Sequence, residues 1–165
     1  MGSIGNDVGM HDAMPTYPGE ASDGSKCTMT IQAQLNAFRD AFNRRDLTAA
    51  LMLFAEHAVF EMPLLGQRLF GKREIAIGLQ RIFEVTESAQ IQLSGAKESQ
   101  NLIIAEGRLQ AKLHRDAHAV DIPLAVVLET QQNDIMRLST YLDARPYRLW
   151  TDGTLFASVR AINQS

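Results

Sequence analysis

Apolar residues recur at helical spacing in the first periodic part of the chain. Ile31, Leu35, Phe38 and Phe42 follow one another at intervals of three or four residues, which predicts an amphipathic helix that ends near Asn43. Thr28 and Thr30 stand before this run, and either suits the cap of the helix. The predicted fold therefore begins with a helix that has one apolar face.

Two further helices and a strand follow. Asp46 suits the cap of a second helix, which we expect to continue to about His57. Residues 58–62 (AVFEM) are of strand-forming types, and Pro63 stops them. After a loop with two glycines, the apolar positions of residues 72–84 again recur at helical spacing, which predicts a third helix.

The rest of the chain is strand-like. We predict a short strand at 89–93, a long strand at 102–114 with a turn at Arg115–Asp116, and a hairpin at 117–147 around the polar turn TQQND. The first arm of the hairpin, 119–128, is apolar at almost every position, so we expect both of its faces to be covered. Helices followed by a four-strand meander predict an α+β fold, with the helices on one face of a curved sheet.

The composition along the chain predicts one domain with two flanking segments. Residues 1–27 are rich in Gly, Asp, Ser and Pro and hold little to bury, which predicts a disordered leader without a signal peptide. Residues 28–150 form the predicted domain. Residues 151–165 form a tail, and we expect apolar residues after Pro146 to cover a sheet edge or the mouth of a pocket.

Charge and cysteine content exclude several classes of function. The net charge is −3 and the basic residues are scattered, so we expect no nucleic-acid partner. No apolar run approaches the roughly 18 residues that span a bilayer, so we expect no membrane segment. The single cysteine, Cys27, excludes an internal disulfide framework and suits a reducing compartment, which favours a cytoplasmic location. No metal motif or cofactor fingerprint is present, and we expect no cofactor.

The element order and one sequence stretch resemble a known superfamily. RRDLTAALMLFAEHAVFEMP, followed by the glycine-flanked residues 66–71, is similar to the nuclear transport factor 2-like superfamily, in particular its SnoaL-like branch. That branch includes polyketide cyclases, limonene-epoxide hydrolase and ketosteroid isomerase, and the likeness extends from about Ile31 to Arg148. It implies an NTF2-like (cystatin-like) cone-shaped barrel, with three N-terminal helices packed on a curved, mostly antiparallel sheet. It also implies a homodimer formed through the outer face of the sheet.

The resemblance implies catalytic positions whose residues are unsuited to ketosteroid isomerase chemistry. That reaction needs an aspartate base and an oxyanion hole made by a tyrosine and a protonated aspartic acid. On the family pattern the tyrosine falls at Phe38, the base at Met62 and the acid at Ala125. Phenylalanine cannot donate a hydrogen bond, and neither methionine nor alanine carries a proton, so this chemistry is absent.

The limonene-epoxide hydrolase set is also incomplete. That family uses an Asp-Arg-Asp arrangement, and its late aspartate falls at Thr140, where threonine is a poor base. The Arg-x-Asp pair falls near Gly107 and Leu109, or, after a slip of one residue, at Arg108 and Gln110 without the second acid. The sequence therefore leaves open whether the protein is an enzyme.

The same positions predict an apolar pocket for a lipophilic small molecule. Asp121 is the one acid whose strand alternation favours the pocket, on the face of Pro123 and Ala125, and it is the candidate catalytic residue. A solvated strand end is the alternative for Asp121. Arg108 forms either an outward salt bridge with Glu106 or an inward anion clamp. The predicted lining comprises Phe38, Phe42, Phe60, Met62, Arg108, Ala125, Leu138, Thr140 and Leu142.

Three hypotheses for the function remain at this point. The first is an isomerase, cyclase or hydrolase with non-standard catalytic residues, and the second is a non-catalytic ligand-binding or dimeric interaction module of the same fold. A degenerate epoxide hydrolase is the third. His57 is interpreted as a helix cap, and His114 and His118 as residues of an exposed turn, although a two-histidine metal site with a nearby aspartate is the alternative for the last two.

Overall fold

The computed structural model describes residues 28–114 and 119–143. Several predicted features lie outside the described residues: the leader at 1–27, the turn at Arg115–Asp116, His118, the end of the hairpin at 144–147 and the tail at 151–165. No helix in the described part is long and apolar enough to cross a membrane.

The first two helices begin where the capping residues predict. Helix α1 spans Ile31–Asn43, and the Thr30 hydroxyl accepts a hydrogen bond from the Ala33 amide at 3.1 Å. Helix α2 spans Leu47–Met52, and Asp46 accepts from the Ala49 amide at 2.9 Å. Each cap satisfies an amide that has no acceptor within its helix.

The first strand starts earlier than predicted. Strand β1 spans Phe54–Met62, so the expected extension of α2 to His57 is wrong. The chain turns from helix to strand here because Phe54 pairs with Ile135 in the middle of the sheet, and both side chains are fully buried. A register shift between Phe54 and Val59 disturbs the alternation of buried positions, which hid the strand from sequence analysis. His57 is therefore an exposed strand residue and not a helix cap.

A short strand replaces the predicted loop. After the 3-10 turn Pro63–Leu65, strand β2 spans Gln67–Phe70 and pairs antiparallel with β1. With one buried residue, Leu69, it carries too little apolar pattern to be predicted. Helix α3 spans Gly71–Val85 and buries the predicted apolar face, which comprises Ile75, Leu79, Ile82 and Phe83.

The meander of four strands is confirmed. Strands β3 (Thr86–Ser99), β4 (Leu102–Leu113), β5 (Ala119–Gln131) and β6 (Asp134–Leu142) pair antiparallel in succession. Strand β3 is much longer than the predicted 89–93, because its second half is polar and exposed and pairs with β4 alone.

The six strands form one curved sheet in the order β2-β1-β6-β5-β4-β3, with a parallel pair only at β1 and β6. The sheet is not closed, and the helices pack on its concave side, where one continuous apolar core lies. The α+β architecture and the NTF2-like arrangement of helices on a mostly antiparallel sheet are thus confirmed.

Candidate functional site

A small cavity lies between the helices and the concave face of the sheet. Its volume is about 30 Å³, which is room for about one water molecule. Helix α1 contributes two aromatic rings to its wall, and the ends of β1 and β6 contribute two residues each. These residues were all among the predicted lining: Phe38, Phe42, Phe60, Met62, Thr140 and Leu142.

The rest of the wall was missed by sequence analysis. It comes from α3 (Ile82), β3 (Ile91), β4 (Leu109) and β5 (Leu124). Each residue has the burial pattern of a core position, so sequence alone does not separate it from the apolar neighbours of its element. The register of the strands sets which core residues meet at the cavity, since it pairs Leu109 with Ile122 and Leu124 with Leu142.

Three predicted lining residues lie elsewhere. On β5 the inward residues are Ile122, Leu124 and their alternate neighbours, so Ala125 faces the convex side and its predicted place in the pocket is wrong. The error is one residue, and such a slip reverses the face of every side chain in a strand. Leu138 is fully buried in the core but does not line the cavity. Arg108 is exposed on the convex face.

Asp121, the predicted catalytic residue, also faces outward. It shares the face of Pro123 and Ala125 as the alternation predicts, but that face is the convex one. The Asp121 Oδ1 accepts a hydrogen bond from the Arg108 Nε at 2.6 Å, and about half of each side chain is exposed. The hydrogen bond from Arg108 lowers the pKa of Asp121, so the carboxylate stays ionised outside the cavity. The inward anion clamp and the Glu106 salt bridge predicted for Arg108 are replaced by this pair.

The cavity wall is apolar apart from Thr140, and the Thr140 hydroxyl is engaged by the backbone. Thr140 is 6 % exposed, and its hydroxyl lies 3.4 Å from the backbone oxygen of Glu61, to which it donates. None of the lining residues is titratable. The rings of Phe38 and Phe42 lie 6.2 Å apart, centroid to centroid, in a tilted arrangement that closes one side. The arrangement can enclose apolar atoms, and its wall supplies no general acid or base.

The half-buried acid Glu61 belongs to an ion-pair network on the convex face. Its Oε1 lies 2.9 Å from the Arg68 Nε, and its Oε2 accepts from the Ser139 hydroxyl at 3.0 Å. Arg137 lies 3.6 Å from the same carboxylate and also pairs with Glu129, whose hydrogen bond raises the Arg137 pKa. Strand alternation turns Glu61 to the convex side, opposite to its neighbour Met62, which lines the cavity.

The histidines that the structure describes, His57 and His114, are both exposed. Within residues 28–114 and 119–143, no group of three or more His, Cys, Asp and Glu side chains lies close enough together to hold a metal ion.

Solved structures show the same fold at low sequence identity. A protein from Xanthomonas campestris pv. campestris proposed to be a polyketide cyclase superposes with a TM-score of 0.65 at 19% identity, over 73% of this chain and 96% of that one. A protein of ketosteroid isomerase-like fold from Catenulispora acidiphila, in complex with trimethylamine, gives 0.64 at 18% identity, over 68% and 86%. TerC, co-crystallised with polyporic acid, gives 0.64 at 13% identity, over 73% and 96%.

Comparison with curated protein sequences gave no significant match. The family model of the SnoaL-like domain, in contrast, matches residues 35–138. The match runs from the first helix to the last strand and includes all the residues that line the cavity except Thr140 and Leu142. The chain therefore belongs to the SnoaL-like domain family.

Proposed function

We propose that the interior cavity binds a compact, uncharged, lipophilic small molecule, without acid–base catalysis by its wall. The observation that carries this proposal is the chemistry of the lining: nine of the ten residues are apolar, and the tenth, Thr140, has its hydroxyl turned to a backbone oxygen. Such a wall offers burial of apolar surface, worth about 25 cal/mol per Å², and discriminates against charge.

Binding requires the wall to move. The cavity of about 30 Å³ is smaller by about tenfold than pockets that hold drug-sized ligands. Met62 is unbranched and adaptable. The ring of Phe38 packs against Phe42 in a tilted arrangement and against Phe54 edge-on. Displacement of these side chains would open room for a ligand of modest size, so the proposal favours compact ligands over large ones.

Solved structures of the same fold support a small molecule as the ligand, and the choice of an uncharged, lipophilic one rests on the cavity wall. One protein of this fold was crystallised with trimethylamine and another with polyporic acid, both small molecules. The positions that carry ketosteroid isomerase chemistry on the family pattern hold Phe38 and Met62 in the wall of this cavity, and Leu124 occupies the inward position beside Ala125. None can transfer a proton, which favours binding over catalysis.

A thermal-denaturation screen against terpenoids, steroids, aromatic polyketides and epoxides tests the proposal. A ligand at about 100 times its dissociation constant stabilises the folded state by roughly 2.7 kcal/mol, enough for a clear rise in Tm. Leu124→Phe fills the cavity and should abolish the rise. Val127→Phe, on the same strand but facing outward, is the matched control and should keep it. A rise that survives Leu124→Phe would place the ligand elsewhere, and no rise with any compound would contradict the proposal.

We also infer that the convex face of the sheet pairs two copies of the chain. Apolar side chains form rows across its strands: Ile104 pairs with Val127, and Ala125 pairs with Tyr141. Ile104 is 46 % exposed and Tyr141 is 39 % exposed, which is unusual for large apolar residues in the middle of a sheet. Sedimentation should give a dimer at micromolar concentration, and Val127→Glu should shift it to monomer. A monomeric wild-type profile would contradict the inference.

We propose a cytoplasmic location on composition alone, since one cysteine, Cys27, suits a reducing compartment. Fractionation of cells that express the full chain would check it, and recovery in an oxidising compartment would contradict it.

A further inference from the structure

A second, larger cleft lies where α1 begins, beside the β3–β4 and β5–β6 turns. Its volume is about 560 Å³, within the range of small-molecule sites. It shares no lining residue with the interior cavity. Most of its lining residues are of polar types, in contrast to that cavity, so the two sites would hold ligands of different chemistry.

Gln34 is the most informative residue of this cleft. It lies in the second turn of α1, lines the cleft, and is only 2 % exposed. Its Nε2 makes no hydrogen bond with any described residue. A buried amide nitrogen without an acceptor is unfavourable, and native proteins rarely keep one without a reason. The nitrogen itself is enclosed. Rotation of the Gln34 side chain toward the cleft would let an acceptor from a bound molecule satisfy it.

The start of α1 adds further donors. Thr30 accepts from the amides of Ala33 and Gln34, through its hydroxyl and its backbone oxygen respectively. The amides of Ile31 and Gln32 have no acceptor within the helix, as at every helix start. They lie at the positive end of the helix dipole, so this side of the cleft favours an acceptor atom.

The facing wall comes from the two turns. The residues from these turns that line the cleft are Gln100, Asn101, Gln132 and Asn133, whose side-chain amides both donate and accept. Glu98 is the one charged residue of the lining, and its carboxylate only accepts. Among the residues that the structure describes, no lysine, arginine or histidine lines the cleft.

We propose that this cleft binds a neutral, hydroxyl-rich small molecule of the saccharide class. A hydroxyl group can accept from the Gln34 amide and the helix start and can also donate to Glu98, whereas an anion would be repelled by Glu98. A cation would meet the positive end of the helix. The apolar side chains of Met29 and Ile31 in the lining suit the C–H face of a sugar ring.

Titration of the isotope-labelled full chain with glucose, N-acetylglucosamine and maltose tests the proposal by NMR. Saturable shifts should be confined to the cleft, including the Gln34 side-chain amide and the Ile31 and Asn133 backbone amides. Gln34→Leu should weaken binding about tenfold, the effect of one hydrogen bond. Gln80→Leu is the matched control, since Gln80 is an exposed glutamine of helix α3 that donates to Glu84 and does not line the cleft; it should leave binding unchanged.

The Gln34→Leu protein without sugar separates a binding role from a structural one. Because an unpaired buried amide is replaced by an apolar group of similar size, its Tm should hold or rise. A fall in Tm with unchanged sugar affinity would overturn the proposal. Glu98→Ala, at an exposed position, tests the site without risk to the core and should also weaken binding. Saturable shifts with inorganic phosphate in place of sugars, or no saturable shifts, would overturn it as well.

Discussion

Single residues decide that the wall of the cavity carries no proton-transfer group among the residues that the structure describes. Among the described residues of its wall, Thr140 is the only polar one, and the acids Glu61 and Asp121 pair with arginines on the convex face. Strand alternation turns both acids to the convex side, and the arginines pair with their charges there. Two predictions at this scale test the separation between an apolar interior and a charged exterior.

Removal of Arg108 should raise the pKa of Asp121. The Arg108 hydrogen bond is the main cause of the lowered pKa, so Arg108→Gln should move it toward the ordinary value of about 3.9. Because the pKa is lower in the folded state than in the unfolded state, the ion pair adds to the free energy of unfolding at every pH above the unfolded-state pKa. That contribution is lost as the pH falls through the folded-state pKa. Carboxyl-carbon NMR titration measures the shift, with Arg73→Gln on α3 as the control. An unchanged Asp121 pKa would show that the ion pair does not form in solution.

A carboxylate placed in the cavity should be costly and pH-dependent. Thr140→Asp buries an unpaired charge, which should lower the free energy of unfolding by about 3–5 kcal/mol at pH 7. Burial raises the pKa of the new acid, so the loss should grow as pH rises above about 4 and be smallest below it. Urea denaturation across this range measures it.

Tyr141→Asp is the matched control for that variant, because the neighbouring side chain points outward and is partly exposed. It should cost less than Thr140→Asp at every pH. An equal loss for the two variants would mean that Thr140 does not face an apolar interior. Thr140→Asp should also show no epoxide turnover, since Arg108 and Asp121 lie on the other face of the sheet.

At the scale of elements, the sequence predicted what depends on local chemistry. The caps Thr30 and Asp46 and the apolar faces of α1 and α3 are local patterns, and the structure contains them as predicted. Strand β2 and the early start of β1 depend on pairing with distant strands, which no local pattern records. The face of Ala125 was predicted wrongly for a related reason. Strand alternation tells which side chains share a face, and an alignment slip of one residue assigns every one of them to the wrong face.

The β3–β4 pair contains a close approach that tests its register. A Cβ added at Gly107 would lie 2.0 Å from the backbone oxygen of Gln92, beside the irregularity between Leu93 and Gly95. Gly107→Ala should therefore lower the free energy of unfolding by about 1–3 kcal/mol. Gly95→Ala is the control, because nothing lies within 4 Å of its added Cβ. Chemical denaturation compares them, and equal stability would contradict this register.

At the scale of the whole molecule, one sheet separates two environments. Its concave side holds the core and the small cavity, and its convex side carries the ion pairs of Glu61 and Asp121 together with exposed apolar rows. Six of the ten cavity residues were among those predicted from the sequence, three on the family pattern (Phe38, Met62 and Thr140) and three on helix or strand patterns (Phe42, Phe60 and Leu142). Sequence analysis missed the other four because their meeting point depends on the curvature of the sheet, which no single element encodes.

The most direct test of the central claim is intermolecular NOE spectroscopy on methyl-labelled protein with a lipophilic ligand from the thermal screen. The proposed function predicts NOEs from the ligand to the methyl groups of Met62, Leu109 and Leu124, which line the cavity. It predicts none to Ile104 on the convex face or to Met136 outside the cavity. NOEs to Ile104 or Met136 without any to the cavity methyl groups would contradict the claim that the interior of this fold is the binding site.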